Sequence, residues 1–415
     1  MVHIPPEAHA LRALSADGRL LFSTRMVRLF AYGFLSVVLA LYLAQLGLSE
    51  PQIGLLLTLT LAGDAVLSLW VSSVADRFGR RRMLVAGAWL MVLAGLVFAL
   101  SRNIALLTAA AIVGTISPSG AEVGPAAALE QAALPQAVPD RQRTAVFAWY
   151  NLAGSVASAV GALCGGLLAT ALQQRGLAPL ESYQAPAFQR GAPWRMASDG
   201  RRWLGLERSR GIVLKLAALF MLDAFAGGMV VQSLIAYWFA VRFGVAPALL
   251  GAIFFGANLL AGVSALAAAR VAARVGLVNT MVWTHMPSNI LLMLVPLMPT
   301  LPLAILVLLA RFSISQMDVP TRQSYIVAVV DADERAAAIG VTTTARTAAS
   351  AAGPLVTGAL LGASLLSAPF FLAGGLKLIY DLSLYLSFRA LKPPEEQAHG
   401  DEQVGRVATG ERRPR

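Results

Sequence analysis

The sequence predicts an all-α polytopic membrane protein of about eleven spans, five before a polar interruption and six after it. Three observations carry that reading. Apolar residues make up 57% of the 415 and charged residues 13%, where a soluble domain carries about 25% charged. Mean hydropathy is +0.67. The apolar residues also fall in repeated stretches of about 20, the length that crosses a bilayer. A backbone in lipid must satisfy its own hydrogen bonds, so these stretches are read as helices. The 36 glycines suit close helix approach in lipid.

The spans are expected at 26–47, 53–75, 83–100, 104–128 and 145–170, then at 212–241, 248–272, 277–299, 301–328, 336–363 and 368–389. They divide the chain into a cytoplasmic segment (1–20), a five-span bundle (21–170), a basic central loop (171–211), a six-span bundle (212–391) and a solvated, disordered tail (392–415). The central loop holds Arg175, Arg190, Arg195, Arg201, Arg202, Arg208 and Arg210 against Glu181, Asp199 and Glu207. A charge at a helix centre costs about 2.5–3.5 kcal/mol on insertion scales, so no ordinary sixth span is expected there. Its basic stretch, with Trp194 and Trp203, suits the membrane surface.

Arginine placement sets the orientation. Arg12, Arg19, Arg25 and Arg28 precede or open the first span, and Arg77, Arg80, Arg81 and Arg82 fill the second connection. Both termini and the even connections are therefore expected in the cytoplasm. With the central loop uncrossed, the two halves then disagree about which side they start from. The N-terminus is polar and lacks a signal-peptide core, so the first span is expected to serve as its own insertion signal.

Composition excludes several function classes. The net charge is +11 and the pI near 10.5, but the excess is arginine in loops and tails, which fits membrane topology and not nucleic acid. Cys164 is the only cysteine, so no intramolecular disulfide or multi-thiolate site is possible. His3, His9, His285 and His399 have no metal-ligand spacing. No phosphate-binding loop and no set of nucleophile and base is visible. Neither cofactor nor enzyme activity is expected.

The two halves match each other. Arg143 corresponds to Arg335, Gly161 to Gly353 and Gly166 to Gly358 at one offset, and 76–79 corresponds to 273–276 at a slightly larger one. Two related bundles of like topology are one way to build a central site.

At Asp76-Arg77-Phe78-Gly79-Arg80-Arg81-Arg82 the chain resembles the major facilitator superfamily, whose signature there is Gly-x-x-x-Asp-Arg-x-Gly-Arg-Arg; Ser72 replaces the leading glycine. The resemblance runs through nearly the whole chain in span order, repeat and basic centre, and departs from the family in the sixth helix. It implies two bundles rocking about a midplane cavity. It also implies a conformational latch in which Asp76, with Arg77, Gly79 and Arg80, meets a helix start near Arg335, where the dipole favours an anion; the alternative is a topology signal only. Gly161-Ala162-Leu163-Cys164-Gly165-Gly166 looks like the family's antiporter element with alanine at the proline position, or is small-residue packing alone. The stretches 116–125 and 317–323 look like an uncharacterised bacterial subgroup, which implies the cytoplasmic (inner) membrane.

Ionisable residues inside spans are functional candidates by default. They are Asp64, Glu122, Glu130, Asp223, Arg311, Asp318, Arg322, Arg346, Lys377 and Asp381. Spacing predicts that Arg311 and Asp318 share a face, and that Asp318 pairs with Arg322 and Lys377 with Asp381 at i,i+4. Glu130 and Arg322 occupy equivalent repeat positions and are a candidate gate. Glu122, Asp64 and Asp223 lack a same-helix cation and are the candidate proton-coupling carboxylates, Glu122 first, unless Arg311 or Arg346 pairs with one across helices. Gln232, Tyr237, Asn258, His285, Asn289, Gln316 and Asn151 are candidate cavity groups. The expected function is secondary active transport of a small organic solute, coupled to H+, by a monomer in the bilayer. The alternative is a non-transporting relative with an incomplete first bundle.

Overall fold

The computed structural model describes residues 16–78, 80–114, 118, 143–175, 208–331 and 334–391; at 71–84, 143–148 and a few isolated positions only the backbone is described. All regular structure among the described residues is helical. The first half contributes α1 (Ala16–Gln45), α2 (Glu50–Phe78), α3 (Arg80–Leu100), α4 (Ile104–Val113) and α5 (Arg143–Gln174). The second contributes α6 (Arg210–Met229), α7 (Gln232–Phe243), α8 (Pro247–Val275), α9 (Leu277–Leu294), α10 (Leu301–Phe312), α11 (Asp318–Val329), α12 (Arg335–Gly362) and α13 (Ala368–Phe388). The central loop between 176 and 207, where a sixth crossing was in question, lies outside the described residues.

Among the described residues, six stretches are long and apolar enough to cross a membrane by themselves: Gly18–Gln45, Glu50–Ser68, Trp149–Gln174, Arg210–Phe243, Pro247–Ala272 and Ala368–Phe388. The expected span 104–128 is described only over its first part, as α4. The expected span 301–328 is two helices, interrupted at 313–317. Ser313, Ser315 and Gln316 sit in the interruption, and serine competes with backbone hydrogen bonding. Pro320 follows in the first turn of α11, where its missing N–H is harmless.

The expected span 212–241 is also broken, between α6 and α7, where Val231 is extended (φ −62°, ψ 151°). The freed backbone groups are satisfied by other helices. Thr357 Oγ1 on α12 donates to the Met229 carbonyl at 2.7 Å. The Ser233 N–H donates to the Pro118 carbonyl at 3.2 Å. Non-helical backbone at membrane depth is tolerated where protein covers it in this way.

Lipid gives helices no hydrophobic reason to associate, so close packing of small residues has to hold them. Four crossings do this, in two pairs related by the sequence repeat. Gly161 on α5 lies against Phe30 of α1, and its counterpart Gly353 on α12 lies against Gly228 of α6. Gly166 on α5 faces Gly251 of α8, and its counterpart Gly358 on α12 faces Gly54 of α2. The second pair joins the two halves. Gly276, the repeat counterpart of Gly79, turns α8 into α9 at φ 85°, ψ 165°, a conformation open essentially to glycine alone.

Bonds between the halves fall toward one end. Tyr237 donates to Glu50 Oε1 at 3.0 Å, and the Ala248 N–H donates to Thr170 Oγ1 at 2.9 Å. Nearer the middle, Gln232 Nε2 donates to Ser36 Oγ at 2.7 Å, and Gln232 Oε1 accepts from Asn258 Nδ2 of its own half at 3.2 Å. Trp238 fills the seam with edge contacts to Phe239, Phe243 and Phe370. The tightest joins therefore sit at the end that carries the turns 46–49, 244–246 and 363–367.

A Cβ on Gly358 would come 2.8 Å from Gly54 Cα, whereas a Cβ on Gly340 of the same helix meets nothing within 4 Å. Gly358→Ala should therefore lower the melting midpoint in detergent. Gly340→Ala should raise stability by about 0.5–1 kcal/mol through helix propensity. Equal effects from the two would contradict the close crossing.

Candidate functional site

The site forms around one carboxylate that its own helix leaves unpaired. Asp223 sits in the apolar run of α6, with Leu219, Phe220, Ala226 and Gly227 at the neighbouring helical positions. Its partners come from other helices. Lys377 Nζ of α13 donates to Oδ1 at 2.5 Å. Arg322 of α11 and Arg346 of α12 both place Nη1 on Oδ2, at 3.3 and 3.2 Å. His285 Nε2 of α9 stands 3.8 Å from Oδ1. Arg322 also donates to Asp318 at 3.0 Å, the expected i,i+4 pair.

A second carboxylate completes the cluster. Asp381 takes His285 Nδ1 at 2.8 Å on one oxygen and Asn289 Nδ2 at 2.9 Å on the other. His285 thus bridges the two aspartates. Phe220 lies beside the guanidiniums of Arg322 and Arg346, with its centroid at 5.4 and 5.9 Å, and Tyr380 meets the His285 ring edge-on at 5.9 Å. These groups are buried, with Asp381 at 0%, Asp223 at 4% and Arg322 at 6% exposure. Arg346 is the open member, with 28% of its side chain exposed.

The structure corrects two expectations. Lys377 does not pair with Asp381: Asp223 offers it a closer oxygen on α6, and Asp381 is taken by His285 and Asn289. Arg311 and Asp318 do not lie two turns apart on one helix, because the chain is broken between them. Asp223, which has no same-helix cation, takes the alternative left open in the sequence: Arg346 pairs with it across helices, joined by Arg322 and Lys377. Two members, His285 and Asn289, were visible in sequence only as polar residues in an apolar span. Their i,i+4 spacing, which puts both on one face, was the available signal.

The other candidates are placed as follows. Asp64 on α2 is fully buried, and neither carboxylate oxygen has a hydrogen-bond partner among the described residues. Arg311 ends α10 with its guanidinium beside the Phe312 ring, 5.0 Å from the centroid. Glu122, Glu130 and Gly79 lie outside the described residues, as do the side chains of Asp76, Arg77 and Arg80. Arg335 is exposed at the first position of α12. Its neighbour Glu334 is buried and accepts the N–H groups of Arg208 and Ser209 at 3.0 and 2.9 Å, pinning the start of α6 as an anion at a helix N-terminus does. Among the described residues no cluster of His, Cys, Asp or Glu could hold a metal ion.

Two helical bundles with charges buried between apolar helices define an integral membrane protein of the transporter type. The chain matches the Major Facilitator Superfamily over residues 21–180 and 216–413, and belongs to that family of membrane transporters. It is 30% identical over 425 aligned positions to the uncharacterized membrane protein YJR124C of Saccharomyces cerevisiae, covering 91% of this chain and 95% of that protein. In fold it resembles the human organic anion transporter MFSD10 (TM-score 0.65, 17% identity, 92% of this chain and 100% of that one). It also resembles a D-xylose–proton symporter (TM-score 0.66, 14% identity, 89% and 97%). A bacterial homolog of the human lysosomal transporter Spinster is similar too (TM-score 0.62, 16% identity, 92% and 95%). At such identities the likeness is one of fold.

Removing one partner of a buried ion pair strands the other and costs about 3–5 kcal/mol. Asp223→Asn should therefore lower the melting midpoint sharply, and adding Lys377→Met should recover part of the loss. A double-mutant cycle between the two positions that shows no coupling would contradict the cluster.

Proposed function

We propose that this protein is a secondary active transporter that moves a small organic solute by alternating access, coupled to protons. The observation that supports this most is the division of labour in the interior. One buried carboxylate, Asp223, is held by cations on three helices. Another, Asp64, is buried without a partner among the described residues.

An ionised carboxylate with no counter-charge is expensive inside a membrane. Binding a proton cancels that cost. Opening the surrounding helices to water cancels it too, and lets the proton leave. Asp64 thus has the property a coupling residue needs, and it lies on α2, which meets α12 of the other half. Glu122, placed first on sequence grounds, has its own claim in a span outside the described residues.

With both termini in the cytoplasm, the tightly joined end faces outward, and this state is closed to the outside. The glycine crossings are the surfaces that must part for the opposite state. Asp76 and Arg335 are the proposed latch at the cytoplasmic end, supported by the exposed position of Arg335 and by the family signature.

The test uses proteoliposomes filled with a pH-sensitive dye and challenged with sugars, nucleosides, amino acids and carboxylates. At least one solute should drive proton movement. Asp64→Asn should abolish that movement and retain solute exchange by counterflow. Unchanged proton coupling in Asp64→Asn would remove Asp64, and no flux of any solute would remove the transport reading.

A further inference from the structure

We propose that the solute is an uncharged, hydroxyl-bearing molecule, of the kind of a sugar or a nucleoside, and that Gln232 and Asn258 receive its hydroxyl groups where α6 breaks into α7. This rests on the transport reading above and supplies its substrate class. A solute moved by alternating access has to touch both halves. The charged side chains around Asp223 do not reach across, because their polar partners all belong to the second half. Among the described residues, the buried side-chain bond between the halves joins two uncharged groups: Gln232 Nε2 donates to Ser36 Oγ of α1 at 2.7 Å. Asn258 of α8 extends the trio, giving Nδ2 to Gln232 Oε1 at 3.2 Å. Gly251 and Gly262 of α8 both lie against α5 of the first half. Asn258 stands two turns after the one and one turn before the other, so helical spacing puts it on that same face, at the seam.

Two features make the trio a place to hold a ligand. The first is the break. Gln232 opens α7 directly after the extended Val231, and Ser36, Gln232 and Asn258 each lie away from the ends of their membrane stretches. Discontinuous helices at such depth, between repeated halves, are where transporters hold solutes. The second is unspent hydrogen-bonding capacity. An amide has two N–H donors and two lone pairs on its oxygen. Gln232 uses one of each. Asn258 is half-buried, uses one donor and leaves Oδ1 open among the described residues. Ser233, next in the chain, is fully buried, and its hydroxyl has no partner among the described residues, a costly state for a buried polar group.

Donors and acceptors therefore stand side by side. A hydroxyl donates and accepts at once and satisfies both. A carboxylate only accepts, and would set its charge against the amide oxygens. An ammonium only donates, and would meet the amide N–H groups. Ser36 holds one Gln232 N–H; an arriving hydroxyl competes for it, so loading the solute loosens a bond between α1 and α7.

The experiment measures melting of the full-length protein in detergent with D-glucose and D-xylose, each against its L-enantiomer, with uridine against dideoxyuridine, and with succinate and putrescine. Sugars stabilise proteins in general by exclusion from the surface, and the enantiomer carries that effect without the fit. At least one of the three hydroxylated solutes should raise the midpoint above its control, and succinate and putrescine should not. Asn258→Leu, which keeps the size and loses the hydrogen bonds, should weaken that response by about tenfold or more in apparent Kd, the scale of an unsatisfied buried group. Asn258→Asp, which keeps the acceptors and loses the donors, should weaken it too, and decides the matter where the leucine variant does not fold. Ser36→Ala should lower the midpoint without solute and tighten the apparent Kd, because Gln232 loses its tie to α1 and gains a free N–H.

Equal responses to each solute and its control, a response to succinate or putrescine alone, or an apparent Kd that both Asn258 variants leave unchanged would overturn the proposal. So would weaker binding in Ser36→Ala, since the trio would then be a joint that any loss disrupts. Flux in proteoliposomes separates this from the parent reading. Asn258-dependent binding of a hydroxylated solute without flux removes transport and keeps the site. Asn258-independent flux of a carboxylate or an amine keeps transport and removes the site.

Discussion

Asp223 is the point on which the second bundle closes. Its carboxylate gathers lysine and arginine side chains from α11, α12 and α13, and His285 ties it to Asp381. In water such a cluster would contribute little, because exposed ion pairs are worth about 0–1 kcal/mol. Within a bilayer the surroundings cannot solvate separated charges, and each group depends on the others being present.

The glycine crossings supply the complementary constraint. They let α5 meet α8, and α12 meet α2, at backbone contact, and the repeat places both joins at equivalent positions. The two joins tie the halves together at positions related by the repeat. The second half also has two broken spans, at Val230–Val231 and at 313–317. The first is covered by Thr357 and by Pro118 of the opposite half, so unwound backbone there reports on how the halves sit together.

Much of this was legible in the sequence, and the remainder was hidden for physical reasons. Apolar length marks the helical stretches in sequence, because a backbone in lipid must satisfy its own hydrogen bonds. The recurring Gly161–Gly353 and Gly166–Gly358 pairs marked the internal repeat, and the structure puts the same glycines at close helix crossings. Spacing within one helix gave the Asp318–Arg322 pair, since both residues stand on α11. It failed for Lys377 and Asp381, because a stronger partner arrives from a helix far away in the chain, and no local rule sees that. It failed again for Arg311 and Asp318, because a serine-rich break resets the helical phase between them. His285 reads in sequence as a candidate cavity group without metal-ligand spacing; its pairing with Asp381, 96 positions away, is beyond any local rule.

The account stands on movement between the two halves. The direct measurement is the distance between spin labels at Ser49 and Ala363, exposed residues in turns of opposite halves, placed in a Cys164→Ser background and followed in proteoliposomes. A short and a long distance should coexist, with their balance moved by pH or by an added solute. A single short distance that neither pH nor any solute shifts would contradict alternating access and leave the chain a static bundle.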